Sequence, residues 1–511
     1  MGIVEPIGSG GDRRRLRVRS PVSLEPIGEF ECANAADVKV AVERARKAQV
    51  EWAAKVPEQR ARVLWRLVDQ IVEHQEEIID AVIEETGKAR SEAITMEVFS
   101  SCDAIAYTAK HGPKQLKTEK RRIHGLLGFV KKLRIVYEPL GVVALITPWN
   151  GPVVLSCVPL AQALMAGNAV VHKPSEVTPF SAKLVERLAL AAGLPPDLYQ
   201  VIQGDAATGA ALIDSGIDKL SFTGSVATGR KVAEICGRLL IPCTLELGGK
   251  DAMIVCADAD LDRAAQGALI GSCMNTGHYC CGTERIYVVE EVYDAFLEKV
   301  LDGVKQLRQG ETGEFDVGAV FWDKQMDIIE NHVEDARAKG ASVLAGGRRN
   351  PELRGLFYEP TVVTDVTHDM DLMRKETFGP VLAVMKVKDE DEALALANDS
   401  DYGLNGNVWT TDTAKGIRIA ERMETGGVCV NDMAMIYGIP EAPFGGVKSS
   451  GVGQVNGISG VRNYCHAKPI TSDRRGKGKI QGGYPYTQKG TDGMQKLIRL
   501  LWGTRLGRWL S

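Results

Sequence analysis

The sequence predicts an α/β protein built on parallel sheets, and three observations predict it. From Gly141 to Leu247, apolar strand-like runs alternate with helical stretches, the pattern left by strands joined through crossover helices. A second α/β region follows Leu247 and runs to about Gly446. At 511 residues and 44% hydrophobic side chains, the chain can bury large cores and should divide into two or more domains.

Composition narrows the classes of function. A net charge of −4 and a pI near 6.2 argue against a nucleic-acid binder. Eleven cysteines, an odd number without zinc-type spacing, read as reduced thiols in a cytoplasmic protein, with no metal expected. Residues 1–10 have no apolar core and no apolar span reaches 18 residues, so neither a signal peptide nor a membrane-spanning helix is expected. The cluster Arg13-Arg14-Arg15-Leu16-Arg17 reads as a solvated N-terminal arm, with a targeting or anchoring patch as the alternative.

Taken in order, Ala35 to Glu85 carries helical spacing, including Val38, Val40, Val42, Ala45 and Ala48, and Gly87 supplies a stop. Lys117 to Pro139 is basic and then β-prone, through Leu126–Val130 and Leu133–Tyr137. It is either a core strand or an exposed pair that needs a partner. Strands are expected at 141–147, 169–172, 198–202, 220–223 and 243–247. Helices are expected through 155–165, 182–192, 207–213 and 227–236. Ligands of such sheets bind beyond the carboxyl ends of the strands.

The chemistry sits at such ends. Asn275-Thr276-Gly277-His278-Tyr279-Cys280-Cys281-Gly282-Thr283-Glu284-Arg285 holds two cysteines in a turn-prone segment between apolar runs. A thiolate reachable in a loop is a strong nucleophile, although a free cysteine is equally at home as a small buried hydrophobe. Glu246-Leu247-Gly248-Gly249-Lys250 sets a carboxylate before a Gly-Gly turn, and Thr147-Pro148-Trp149-Asn150 sets an amide after another strand. Thiol, carboxylate and amide match the nucleophile, base and oxyanion donor of acyl chemistry. Phe222-Thr223-Gly224-Ser225 follows a strand and opens a helix. Gly224 admits close approach there, and Ser225 with the helix N-terminus can hydrogen-bond a pyrophosphate.

With these motifs in this order, and Glu246 lying 34 residues before Cys280, the chain closely resembles the aldehyde dehydrogenase superfamily from about Val18 to Ser472. The non-acylating, NAD(P)-dependent members are the nearer comparison, distantly the succinate-semialdehyde dehydrogenase type, because CoA-acylating relatives usually lack the glutamate of the ELGGK segment. The resemblance implies a Rossmann-like NAD-binding domain over 18–117 and 138–248 and a catalytic domain over 249–446. It further implies a small β oligomerisation element over 118–137 and 447–472, serving a homodimer or homotetramer. Its catalytic residues map to Cys280, Glu246 and Asn150. Cys280 rather than Cys281 is selected by the family's spacing from Asn275 and to Arg285.

Cofactor contacts map to Thr147, Pro148, Trp149, Lys173, Ser175, Glu176, Gly204, Gly224, Ser225, Gly229, Leu247, Glu376 and Phe378. Lys173 and Glu176 fall at the adenosine ribose, Glu376 at the nicotinamide ribose and Phe378 beside the nicotinamide. A carboxylate at 176 accepts from a 2′-hydroxyl and repels a 2′-phosphate, so NAD is expected, with NADP as the alternative. The substrate tunnel maps to Gly151, Leu155, Val158, Met274, Tyr279, Cys281 and Phe444. None is cationic, and Val158 stands where many succinate-semialdehyde dehydrogenases have arginine, so an apolar aliphatic or aromatic aldehyde is expected over a carboxylated one. The departures are His278, where the family often has glutamine, and Gln454-Val455, where Arg-Glu is common. A non-catalytic scaffold on the same fold is the reading from another class.

Residues 473–511 extend beyond most members. They carry net +7, which leaves the rest of the chain at −11. Met494, Leu497, Ile498, Leu501 and Trp502 follow helix spacing, Lys496 and Arg499 lie off that face, and Leu506, Trp509 and Leu510 extend the apolar surface. Such a helix suits an anionic membrane surface, as a peripheral contact, and equally suits docking on an acidic neighbouring subunit.

Overall fold

The computed structural model describes residues 2–10, 13–477, 480 and 484–510. Strands β1 (Val4–Gly10), β2 (Arg13–Arg19) and β3 (Pro26–Glu31) form an antiparallel sheet. This corrects the expectation of an arm, since the cluster is a strand of a sheet, although Arg13, Arg14 and Arg15 stay exposed to solvent. The arginines of β2 are cross-strand and tertiary partners: Arg15 and Arg17 bond Glu29, Arg13 bonds Asp37 and Arg14 bonds Asp205.

The helices Ala35–Ala53, Pro57–Glu73 and Gln75–Thr86 follow. Asn34 caps the first through a reciprocal box with Asp37. Pro57 starts the second, and Gly87, at φ +68°, ends the third. Val38, Val42 and Ala45 are buried as the spacing predicts, whereas Val40, on the opposite side of the turn, faces solvent.

Next come β4 (Glu119–Arg121) and β5 (Lys131–Pro139). Leu126–Val130, read as β-prone, is instead a turn leading into a helical turn, Leu127–Val130. Gly125, at φ +64°, starts a local reversal that the apolar composition does not reveal.

Five parallel strands, β6 (Val142–Ile146), β7 (Ala169–Lys173), β8 (Tyr199–Val201), β9 (Lys219–Thr223) and β10 (Cys243–Glu246), form most of a six-stranded sheet. The chain runs from β6 outward through β7 and β8. It then returns to lay β9 and β10 on the other side of β6, so the strand order reverses between β6 and β9. Reversal at that point opens a crevice at the carboxyl ends of neighbouring strands.

The second sheet contains β11 (Asp251–Val255), β12 (Thr283–Val289), β13 (Ser342–Ala345), β14 (Thr361–Thr364), β15 (Val381–Val387), β16 (Gly406–Trp409) and β17 (Cys429–Val430). Its order is β13-β14-β15-β12-β11-β16-β17, parallel except for β13 against β14. Each large sheet has its own buried apolar core.

Two short pieces close the chain onto earlier ones. Strand β18 (Gly451–Val452) adds antiparallel to β10. Strand β19 (Cys465–Asp473) pairs along all of β5, giving the three-stranded sheet β19-β5-β4. The stretch 447–472, grouped as one element in the sequence, therefore divides. Only β19 joins the small sheet, while β18 and the helix Gly457–Arg462 pack on the first large unit. The tail forms the helix Gln488–Gly503 and a last helix, Arg505–Leu510. Lys479 lies outside the described residues, as do the side chains of Leu506, Trp509 and Leu510.

Asn168 ties three of these pieces together. Its Oδ1 accepts the Gly141 N–H at 2.8 Å, and its Nδ2 donates to Ala163 O and Tyr464 O at 3.1 and 2.9 Å, all buried. Removing the amide leaves the buried Gly141 N–H without its acceptor, whereas the Ala163 and Tyr464 carbonyls keep the N–H groups of Asn168 and Leu140. Asn168→Ala is expected to cost about 1–3 kcal/mol, read as a lowered thermal midpoint.

Candidate active site

The thiol is delivered by a strained turn. The helix Leu261–Cys273 ends in a 3₁₀ turn, Met274–Gly277, in which Asn275, Thr276 and Gly277 take φ of +55°, +57° and +75°. Left-handed φ in a non-glycine residue, above all a β-branched one, costs about 1–3 kcal/mol and persists only where surroundings enforce it. Here they do. The Asn275 N–H donates to Glu92 Oε1 at 2.7 Å, and its Nδ2 donates to Asn150 O and His278 O at 2.9 and 2.8 Å. A Cβ on Gly277 would lie 2.2 Å from the Gly379 carbonyl, so only glycine fits against that neighbouring turn. The chain then emerges with Cys280 half-buried, just before β12.

Asn150, just beyond β6, is held at both its backbone and its side chain. Its Nδ2 donates to His278 O at 3.0 Å, which leaves the amide's second hydrogen free to donate elsewhere. Its carbonyl accepts from Lys88 Nζ at 3.2 Å. Lys88, fully buried, is paired with Glu97 at 2.5 Å. The other Glu97 oxygen accepts the N–H groups of Val153 and Val154, at 3.0 and 2.9 Å, at the start of the helix Val154–Ala166. Glu97 rides on a π-helical turn, Ala93–Phe99, a local widening often found at functional sites.

The charges in the site are set by neighbours and burial. The neighbouring Cys281 thiol and the local backbone amides lower the pKa of the Cys280 thiol against the opposing effect of burial, while the Cys281 S–H itself points to the Ala434 carbonyl at 3.8 Å. Cys281 is correspondingly raised. Glu246 ends β10, 6% exposed, with no hydrogen-bond partner on either oxygen among the described residues. Burial first, and then the Cys280 charge, hold its carboxyl well above the usual range. Glu376 is pushed up to about 8, chiefly by burial, although it accepts the Gly249 N–H at 3.1 Å. Its turn is pinned by Glu284, which accepts from Thr377 N and Phe378 N at 2.8 and 2.9 Å and is itself paired with buried Lys250.

A cavity of about 320 Å³ joins these groups. Pro148, Trp149 and Asn150 line it beyond β6, and Leu155 from the helix Val154–Ala166; Gly224 and Ser225 line it beyond β9; Glu246 and Leu247 line it at the end of β10. Cys280, Glu376 and Phe378 complete the wall. The other expected cofactor residues stand around it on the same sheet. Thr147 is buried with its hydroxyl 2.8 Å from His172 Nε2, and Lys173 pairs with Glu176 at 3.3 Å beyond β7. Ser175 Oγ accepts the Val177 N–H at 3.2 Å. Gly204 lies tight against Thr208, and a Cβ on Gly229 would sit 2.4 Å from Leu247 Cδ2. Ser225 caps the helix Val226–Leu239, accepting the Thr228 N–H at 3.3 Å.

The expected tunnel residues fall into two apolar clusters. Leu155 and Val158 belong to one; Met274, Tyr279, Cys281 and Phe444 belong to the other. Tyr437 packs on both, with its ring edge-on to Phe444 at 5.1 Å. The sequence reading missed Tyr437, because it sits in an aperiodic loop. It also missed Trp322, Gln325 and Ile328, which line the cavity from the start of the helix Asp323–Ala338. His278 does not alter the thiol's hydrogen bonding. Its ring packs against Phe321, Trp149 and Phe378 at 4.5, 5.0 and 5.7 Å, and burial holds the imidazole down to about 3, hence neutral. At the other departure, Val455 exchanges backbone hydrogen bonds with Phe444.

This architecture has known counterparts. A model of the aldehyde dehydrogenase family matches residues 9–470. The chain belongs to that family. The Mycobacterium ulcerans (strain Agy99) protein named "Putative succinate-semialdehyde dehydrogenase (NADP+) 2" is 40% identical over 457 residues, 89% of this chain and 87% of that protein. The "4,4′-diapolycopene aldehyde oxidase" of Methylomonas sp. is 38% identical over 485 residues, 95% and 91% of the two chains. Among solved structures, a Mycobacterium tuberculosis aldehyde dehydrogenase complexed with NAD+ superposes with a TM-score of 0.86 at 36% identity, covering 90% of this chain and 95% of that one. As an aldehyde dehydrogenase, the chain is an oxidoreductase whose cavity brings Cys280, Glu246 and Asn150 together.

The electrostatics of the cysteine pair can be tested directly. Removing the Cys281 thiol takes away a neighbour that lowers the pKa of the Cys280 thiol. In Cys281→Ala, the pH midpoint for iodoacetamide alkylation of Cys280 is therefore expected to move up relative to the parent protein.

Proposed function

We propose that the protein oxidises an apolar aldehyde to its carboxylic acid with NAD as the preferred cofactor. The observation that carries the proposal is the single cavity in which Cys280, Asn150 and Glu246 share walls with the Gly224-Ser225 turn. The residues present fit a dinucleotide. A helix N-terminus opens at Ser225, and Gly248, where a Cβ would lie 2.1 Å from Glu376 Oε2, leaves the backbone bare beside the cavity. Gly224 and Ser225 would hold the pyrophosphate, Glu376 the nicotinamide-side ribose and Glu176 the adenosine ribose. Glu176 beside Lys173 favours a 2′-hydroxyl over a 2′-phosphate. When bound, the nicotinamide supplies the hydride acceptor that takes the substrate to the acyl level.

The chain's own groups do the rest. The Cys280 thiolate adds to the aldehyde carbon, forming the C–S bond, and the resulting alkoxide takes hydrogen bonds from the free Asn150 N–H and the Cys280 backbone N–H. Once oxidised, the acyl group remains on Cys280 as a thioester. Glu246 then removes a proton from water, water adds to the acyl carbon, and the C–S bond breaks to return the thiolate and release the acid. Glu246→Gln is expected to leave a burst of reduced cofactor of about one equivalent per site and then to stall; steady turnover without a burst would refute the role.

The substrate class follows from the tunnel. Leu155, Val158, Met274, Phe444 and Tyr437 offer a carboxylate no cation, and an uncompensated charge in such a lining is costly. The name of the M. ulcerans relative favours the second reading, succinate semialdehyde. A panel decides. kcat/KM is expected to be higher for hexanal or benzaldehyde than for succinate semialdehyde, and higher with NAD than with NADP; the reverse order for the aldehydes would establish the second reading. A homodimer or homotetramer assembled through the sheet β19-β5-β4 belongs to the same proposal, since that sheet leaves Ile470 exposed.

A further inference from the structure

The chemistry proposed above uses nothing beyond β19, yet the segment that follows has a strongly one-sided composition. From Arg474 to Ser511 there are nine basic residues and one acidic residue, Asp492. The helix Gln488–Gly503, capped by Thr487, sorts its residues cleanly. Met494, Leu497, Ile498, Leu501 and Trp502 share one face at helix spacing, and Lys489, Asp492, Lys496 and Arg499 lie opposite. Met494, Ile498 and Trp502 remain about half exposed, at 56, 48 and 53%. Among the described residues, the helix packs mainly on the short helix Arg505–Leu510.

A second part of the surface meets this tail where it starts. Arg474 N–H donates to Val130 O at 2.8 Å, and Lys131 pairs with Asp473 at 2.9 Å, so the tail leaves from the tip of the small sheet. Residues 117–132 contain six Lys or Arg against one acidic residue, Glu119. The turn at their centre exposes Leu127 and Phe129, at 61 and 79%. Tip and helix are thus two basic surfaces, each carrying exposed apolar side chains, at one end of a chain that is otherwise acidic.

We infer that this end of the molecule docks on the surface of an anionic lipid bilayer, with the helix Gln488–Gly503 lying in the interface and the tip turn beside it. Cations on one face and Leu, Ile, Met and Trp on the other are what an interfacial helix requires. The exposed rings of Tyr484 and Tyr486, ahead of the helix, suit the headgroup level. No described helix is long and apolar enough to cross a membrane, so the contact is peripheral. A subunit groove would have to match the helix in shape and position. A bilayer needs only the apolar face and the charge. The negative charge of the remaining chain would oppose the approach, which leaves the attraction to these two basic segments.

The test is flotation of the full chain with vesicles of phosphatidylcholine containing about a third phosphatidylglycerol, against phosphatidylcholine alone. The full chain is expected to float with the anionic vesicles, and at least about tenfold less with neutral ones or in high salt. Ile498→Glu with Trp502→Glu, Lys496→Glu with Arg499→Glu, and Phe129→Glu should each reduce flotation several-fold, while oligomeric mass and the rate with a water-soluble aldehyde stay unchanged. Failure of the full chain to float overturns the inference, as does flotation indifferent to the helix variants. A change in oligomeric mass in the helix variants, with no flotation by the parent, assigns the helix to a second copy of the chain instead.

Discussion

The site rests on a buried Lys–Glu pair. Lys88 and Glu97 are both shut off from water, and each offsets the other's loss of hydration. Together they also satisfy three backbone groups: the Asn150 carbonyl and the N–H groups of Val153 and Val154. A charged pair in low dielectric adds little net stability, but it tolerates little displacement, because any movement uncovers charge. Asn150 therefore inherits a fixed position from a pair that lies behind it. Lys250 and Glu284 repeat the device on the other wall, where Glu284 holds the amides of Thr377 and Phe378 and so fixes the turn bearing Glu376. Two short ionic anchors thus hold the walls, one under each half of the cavity.

The same burial arranges the order of events. Glu246 and Cys280 share an enclosed space, and their charges oppose each other: the thiolate is among the causes that raise the carboxyl. The neighbouring thiol and amides lower the Cys280 thiol while burial raises the Glu246 carboxyl, so the site favours negative charge on the sulfur over negative charge on Glu246. In the proposed mechanism, acylation of the sulfur removes that charge and with it one of the influences that raise Glu246. On that reading the carboxyl becomes a better base once there is a thioester for water to attack. Neither residue needs to move for this exchange, since it is carried by the field between them.

Much of this was legible from the chain. Alternating apolar runs announced the parallel sheet because its strands are buried on both faces and read as continuous hydrophobic stretches, as Val142–Leu145 does. Cys280, Glu246, Asn150 and the Gly224-Ser225 turn, which line one cavity, stood out in the sequence because a thiol, a carboxylate, an amide and a Gly-Ser turn each stand beside a strand end. What escaped had no such local grammar. Tyr437 and Trp322 come to the site from irregular segments, positioned only by what they pack against. The basic strand Arg13–Arg19 looked like an arm because its acidic partners, Glu29, Asp37 and Asp205, lie up to 191 residues away. The turn at Leu126–Val130 carries apolar side chains without burying them, so composition pointed to a strand that the backbone does not form.

His278 shows how a departure from the common residue can leave the chemistry intact. Its carbonyl, which any residue would supply, is the acceptor that orients Asn150. Its ring contributes differently. It is wedged among Trp149, Phe321 and Phe378 with neither nitrogen bonded within the described residues. Holding an imidazole this way costs about 1–3 kcal/mol for each polar atom left without a partner, and burial keeps it uncharged through the neutral range. The return is rigidity where it is needed, since Trp149 and Phe378 are the aromatic walls of the cavity and His278 stands behind both. A neutral, flat and well-packed side chain can brace those walls as an aromatic ring would. The position therefore selects for shape and for the backbone carbonyl rather than for a titrating group, and the thiol's reactivity is set instead by Cys281 and the local amides.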